Sequence, residues 1–175
     1  MPLSQSDTNR HPIDLISEGI KKDLSRLYNC PIFTAFPIGE EEMKVPSIII
    51  ECVRLDPRAP VGNGEALQKT YWEIRAILPA FSDGKSLQLE AAIMASEIAE
   101  RVGNDRYYAK GSEEMKFEDA SPDNLTRRAT NIEAWTISFS CNIRVGRDDY
   151  ELTGAYPSAS PEQRQSYLSG RVFQP

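Results

Sequence analysis

The feature that most restricts what this chain can become is the unbroken alternation from Asn131 to Gly146 (NIEAWTISFSCNIRVG). Glu133, Trp135, Ile137, Phe139, Cys141, Ile143 and Val145 fall on one side of an extended backbone, and Ile132, Ala134, Thr136, Ser138, Ser140, Asn142 and Arg144 on the other. A period of two carried this far demands a β-strand, because a helix would scatter the same residues around its axis. One face is apolar and the other mostly small and polar. The strand therefore belongs to an antiparallel sheet with one buried side, and its length places it at the sheet's centre.

Other strands must pair with it. Pro46 to Leu55 (PSIIIECVRL) sets Ile48, Ile50 and Cys52 against Ile49, Glu51, Val53 and Leu55, the pattern of a strand largely buried on both sides. Gln68 to Phe81 alternates again, with Trp72, Ile74, Ala76 and Leu78 on one face and Tyr71, Glu73, Arg75 and Ile77 on the other. Between them, Asp56 to Ala66 (DPRAPVGNGEA) has the prolines and Gly-Asn-Gly of a hairpin loop, longer than the usual two to five or so residues. Pro31 to Pro37, bracketed by prolines, reads as an edge strand followed by an acidic turn over Gly39 to Glu42, and Glu113 to Ala120 as a short strand with Met115 and Phe117 on one side.

Two segments switch to helical spacing. From Pro12, the residues Ile13, Ile16, Ile20, Leu24 and Leu27 share one face while Asp14, Glu18, Lys21, Lys22 and Arg26 take the other. Acids come early and bases late, as the helix dipole favours, and the helix is expected to end by Asn29 because Pro31 biases Cys30 away from helical geometry. Ser86 to Val102 turns Leu87, Ala91, Met94, Ala95, Ile98 and Val102 inward and Glu90, Glu97 and Glu100 outward, with Ala92 and Ile93 widening the apolar arc and Gly103 and Asn104 as its stop. The order implies an α+β domain over residues 12–146: an antiparallel sheet of about four to five strands with two main helices packed on it. Residues 147–175 change character and keep four aromatics, Tyr150, Tyr156, Tyr167 and Phe173. They read as a C-terminal arm that docks on a neighbour or partner, with a short helix from Pro161 to Ser169 capped by Ser160 and Gln163.

The chemistry in the sequence is sparse. The 175 residues carry a net charge of -6, the wrong sign for gripping nucleic acid by counterion release. The polar start lacks a signal-peptide core, and no run is apolar enough to cross a bilayer, so the chain reads as soluble and made in the cytoplasm. Cys30, Cys52 and Cys141 are odd in number and widely spaced, which argues against a disulfide framework or a zinc ribbon. His11 is the only histidine, so triads and imidazole metal sites have little to build on, and Gly62 and Gly64 lack phosphate-loop spacing. No cofactor is expected. Glu114-Met115-Lys116, with Asp105 as a further acid, is the nearest thing to a metal-dependent nuclease centre. The acids Glu40, Glu41, Glu42, Glu113, Glu114, Asp148 and Asp149 read as solvated turns or as a channel lining, and Arg127 with Arg128 as a compact basic pair.

With its acidic residue, its tryptophan and its closing glycine, Asn131 to Gly146 resembles the last core strand of bacteriophage tail terminator or tail completion proteins. Pro46 to Glu65 resembles that family's strand and Asp-Pro-Gly-rich hairpin, Tyr71 to Phe81 its next strand, and Leu87 to Val102 the helix that follows. The resemblance covers 12–146 and rests on order and pattern. It implies a virion subunit, assembled in the bacterial host cytoplasm, that forms a ring, usually a hexamer, caps the tail tube and offers the docking surface for the neck. Its partners would be further copies of itself, tail tube and sheath protein, and a neck or connector protein, with DNA only passing through and no membrane involved. Candidate contacts between subunits or with the tube are Asp56, Arg58 and Asn63 of the hairpin, Arg127 and Arg128, and Tyr150, Tyr156, Tyr167 and Phe173 of the arm. Candidate lumen-facing acids are Glu40, Glu41, Glu42, Glu113 and Glu114, whose charge would keep DNA from adhering. A sheath-capping subunit or another neck ring protein would share the architecture. Two different classes remain beside it: a metal-dependent nuclease using Glu114 and Lys116, and an adaptor domain acting as monomer or dimer.

Overall fold

The computed structural model describes residues 10–35, 44–60, 65–104, 106–124 and 131–146. Helix α1 spans Pro12–Leu24, with Pro12 in its first turn and the His11 Nδ1 accepting from the Ile13 N–H at 3.3 Å. The single histidine is thus a helix cap, satisfying a donor the helix leaves open. Ile16, Ile20 and Leu24 are fully buried. Leu27, expected on the same face, is 52% exposed. The cause lies at Ser25, whose Oγ donates to the Lys22 carbonyl at 2.9 Å, after which Arg26 and Leu27 bond three residues back rather than four. The tighter turn rotates Leu27 off the apolar stripe.

Five strands form the main sheet: β1 (Ile32–Phe33), β2 (Ser47–Pro60), β3 (Glu65–Pro79), β6 (Lys116–Pro122) and β7 (Ile132–Gly146), in the order β1-β2-β3-β7-β6. The short strands β4 (Phe81–Ser82) and β5 (Lys85–Ser86) make a separate hairpin that leads into α2 (Gln88–Gly103). This is the expected α+β fold, with several local corrections. β1 sits at the edge as expected, but it runs parallel to β2. A direct Ile48 N–H to Pro31 carbonyl bond of 3.0 Å holds it there. β7 is flanked on both sides, yet β3 is the middle strand. Phe81 falls outside β3 and is exposed on the small hairpin.

The expected 56–66 loop is mostly strand. β2 continues to Pro60 and β3 begins at Glu65, with Asp56 opposite Lys69 and Pro60 opposite Ala66. Prolines are tolerated because β1 stops pairing at Ile49, so beyond that point β2 has a side where an N–H is not required. Register shifts at Cys52/Arg54 and Pro57/Pro60 mark where the strand adapts. β2 is also not buried on both sides throughout: Ile48, Ile49 and Ile50 are, whereas Val53 and Leu55 are exposed past the end of β1.

Both helices cover one face of the sheet. Ile48, Ile50, Trp72, Ile74, Ala76, Ile137, Phe139, Cys141 and Ile143 meet Ile16, Ile20 and Leu24 of α1 and Met94, Ala95, Ile98 and Val102 of α2. Trp72 satisfies its indole N–H on Thr70 Oγ1 at 2.9 Å, and that hydroxyl donates to the Cys141 carbonyl at 3.0 Å. A polar chain of this kind lets a tryptophan sit in a core without an orphaned donor. On the opposite face a smaller cluster, Ile49, Ile77, Ile132 and Ala134, gathers at the β1 end.

The segment from Arg106 to Met115 is tied to α1. Asp23, buried despite its charge, accepts from Arg106 at 2.6 Å and from Arg26 at 3.2 Å, and Arg101 approaches it at 3.9 Å. Tyr108 packs over Gly19 so closely that a Cβ there would stand 2.7 Å from its ring. Gly19 therefore serves close approach, not backbone freedom.

Candidate functional site

The sheet face away from the helices carries the densest polar constellation. β3 contributes Lys69, Tyr71, Glu73 and Arg75. β2 adds Glu51, Arg54 and Asp56, and β7 adds Thr136, Ser138 and Ser140. Register explains their meeting: Glu51 stands directly opposite Glu73, and Arg75 is two residues further along the same face. Two facing carboxylates repel unless a cation joins them. Arg75 does so, bonding Glu51 through Nη1, Glu73 through Nη2 and Asp123 through Nε at 3.1 Å. Asp123 also accepts from the Thr136 hydroxyl.

The Arg75 side chain is only 18% exposed. Burial alone would lower its pKa, but the charges of Glu51 and Glu73 outweigh that and raise it. Further along, Arg54 lies 3.8 Å and Lys69 4.7 Å from the Tyr71 ring centroid. Glu118 accepts from Ser140, which holds its carboxyl below the ordinary range. The face is polar and its central charges are paired with one another, while the buried Ser47 Oγ and Asn142 Oδ1 find no hydrogen-bond partner among the described residues. Such an arrangement can meet another protein surface.

Of the sequence-derived candidates, Asp56, Arg58, Glu113 and Glu114 fall among the described residues. Asp56 pairs with Arg54 at 3.3 Å on the open face, and Arg58 lies within β2. Glu113 accepts from Asn142 at 2.6 Å and Glu114 from the Tyr107 hydroxyl at 2.6 Å, so the two adjacent acids turn to different partners. Among the described residues, no three histidine, cysteine, aspartate or glutamate side chains are grouped as a metal ion requires. Glu40, Glu41, Glu42, Asn63, Asp105, Arg127, Arg128, Tyr150, Tyr156, Tyr167 and Phe173 lie outside the described residues. What sequence reasoning missed is the Arg75 cluster and the Asp23 hub. The signal for the first was available, since Glu51, Glu73 and Arg75 share the wet faces of adjacent strands.

Both outer edges of the sheet are blunted. β6 presents exposed Lys116, Glu118 and Asp119, a register shift between Phe117 and Asp119, and Pro122 at its end. β2 past β1 carries a bulge, Arg54, Asp56 and then Pro57. Charges, bulges and prolines of this kind discourage edge-to-edge strand addition. No helix among the described residues is long and apolar enough to cross a membrane.

Neither a known family nor a curated protein matches the chain. Among solved structures, it is similar to a chain in the virion of a native gene transfer agent particle, with a TM-score of 0.51 and 16% identity, over 76% of this chain and 94% of that one. The two share a fold. At this identity, side chains do not carry over.

Proposed function

We propose that the chain is a structural virion protein of a tailed phage or phage-like particle, without catalytic activity. It self-associates into a ring that caps the tail tube, ends tube growth and receives the neck. The observation that supports this best is the fold shared across nearly the whole of a virion chain. One other points the same way: the polar sheet face away from the helices, where Glu51, Glu73 and Asp123 converge on Arg75 and which can meet another protein surface. The terminator position, in preference to another neck ring or a sheath cap, comes from the order of strand, hairpin, strand, helix and closing strand.

In this reading residues 12–146 form the ring body and residues 147–175 the arm that joins copies or partners. Partners are further copies, the tail tube and its sheath, and a connector, while DNA passes through the lumen. Native mass measurement and negative-stain imaging of the purified chain, alone and with tail tubes, test it. A closed ring on tube ends is expected, and removing residues 147–175 should leave a folded body that assembles or docks poorly. A chain that stays monomeric at every concentration and ignores tube ends would refute the proposal. Mg²⁺-dependent cleavage of DNA that is lost in Glu114→Ala would replace it with the nuclease reading.

A further inference from the structure

Asp23 has more positive charge around it than one carboxylate needs. It accepts from Arg106 at 2.6 Å and pairs with Arg26 at 3.2 Å, while Arg101 of α2 stays at 3.9 Å, beyond hydrogen-bonding distance. Three guanidinium groups against one carboxylate leave a surplus of two positive charges. Glu97, one turn before Arg101 on α2, does not remove it, because its carboxylate accepts from the Tyr28 hydroxyl at 2.9 Å. Among the described residues, the ion pairing of Arg101 reaches Asp23 alone.

Two donors at the same place have nothing to donate to. Arg101 Nε is buried without a hydrogen-bond partner. So is the Tyr108 hydroxyl, which is near enough to Asp23, Arg106 and Arg101 to feel their charges but makes no hydrogen bond of good geometry. Burial and the Asp23 charge push the Tyr108 pKa well above its ordinary value, so the hydroxyl keeps its proton and remains a donor. A buried donor left unpaired is costly, and more so on a charged group. The dipole at the C-terminus of α2 favours a cation at Arg101, but it gives Nε no partner and does not account for Tyr108.

The fold holds these groups in position. Arg101 lies on α2 between the fully buried Ile98 and Val102, the Met115 N–H donates to the Arg106 carbonyl at 3.2 Å, and the Tyr108 ring packs on Gly19 of α1. The Arg101 and Arg106 side chains nevertheless stay 31% and 33% exposed, so a solute can reach them. We propose that this corner, between α1, α2 and the segment from Arg106 to Met115, binds a small dianionic oxyanion of the phosphate type, which accepts from Arg101 Nε and the Tyr108 hydroxyl. Guanidinium groups suit such an anion because their planar fork meets two of its oxygens at once. A dianion also matches the surplus of two charges, where a single carboxylate leaves one.

Calorimetric titration of the full chain with inorganic phosphate at fixed ionic strength tests this. One saturable site per chain is expected. Arg101→Gln, which leaves both arginines bonded to Asp23 in place, should weaken binding at least about tenfold, and Tyr108→Phe, which keeps the ring over Gly19, about fivefold. Arg54→Gln, on the sheet face away from the helices, should change nothing, and acetate should bind at least about tenfold more weakly than phosphate. The urea midpoint of each variant verifies that it folds. Absence of saturable phosphate binding, affinity that neither Arg101→Gln nor Tyr108→Phe alters, acetate binding as tightly as phosphate, or binding of a short DNA duplex without binding of phosphate would each overturn the proposal. The site stands or falls separately from the ring proposed above, since its titration reads a single chain.

Discussion

Replacing Arg75 with methionine removes the cation that lets Glu51 and Glu73 face each other. Methionine keeps much of the buried stem, so the loss is mainly electrostatic. Side chains directly opposite on paired strands are about 5 Å apart, and at an effective dielectric near 20 two carboxylates at that distance repel by roughly 3 kcal/mol. Both glutamates are partly open to solvent, which screens the repulsion, and Asp123 keeps its bond from Thr136. A net loss of about 2 kcal/mol is therefore expected at neutral pH. With a urea slope of about 2 kcal/mol per molar, the unfolding midpoint should fall by about 1 M. The fully buried Trp72 supplies the fluorescence signal. Arg75→Met combined with Glu73→Gln should recover most of the loss, because one of the two facing charges is gone. A midpoint shift below about 0.2 M, or no recovery in the double variant, would show that the open-face network contributes nothing to stability and that the reasoning from register is wrong.

Three further outcomes follow from particular contacts. Gly19→Ala places a Cβ 2.7 Å from the Tyr108 ring and should destabilise by about 1–2 kcal/mol in spite of alanine's better helix propensity, with Tyr108→Leu relieving it in a urea titration. Leu24→Ala should cost about 2–5 kcal/mol and Leu27→Ala less than about 0.5 in the same measurement, separating a buried helical residue from one that the Ser25 turn has rotated outward. Burial raises the pKa of Cys30, Cys52 and Cys141, so their thiolates form at higher pH than a free thiol's. Alkylation followed by mass should begin correspondingly late, with Cys141, the buried one of the three, reacting last.

Periodicity made the architecture legible because it reports which face a residue occupies. Trp72, Ile74, Ile137 and Phe139, or Ile16, Ile20 and Leu24, had to share a buried side whatever their partners were. It does not report the neighbour. β1 was readable as an edge strand, yet its parallel alignment depends on how the chain returns from Phe33 to Ser47, which no local pattern encodes. The hairpin composition of Asp56 to Ala66 was equally misleading: two prolines and a Gly-Asn-Gly suggest a loop, but prolines also suit a strand whose outer side has no partner. Asp23, three residues after Ile20, falls on the buried side of α1, and the arrival of Arg106 and Arg101 from distant sequence explains how a carboxylate is held there. The site was legible as residue types and not as geometry. Glu113 and Glu114 are adjacent in sequence, but they bond Asn142 and Tyr107 separately, whereas Glu51, Glu73, Arg75 and Asp123 are scattered in sequence and assembled by strand register.

The β3–β7 ladder pairs every residue from Glu65 with Gly146 to Pro79 with Ile132 without a register shift, while the bulges lie in the flanking strands β2 and β6. Mechanically, this is a stiff beam with compliant sides. A load applied along the strands at the Glu65 and Gly146 end meets all rungs at once in shear, so they must yield together instead of peeling one by one. The α2 end of the sheet would then feel a push or pull at the hairpin end almost undiminished. A chain with such a ladder resists extension along β3 and β7 more than a sheet interrupted by bulges would.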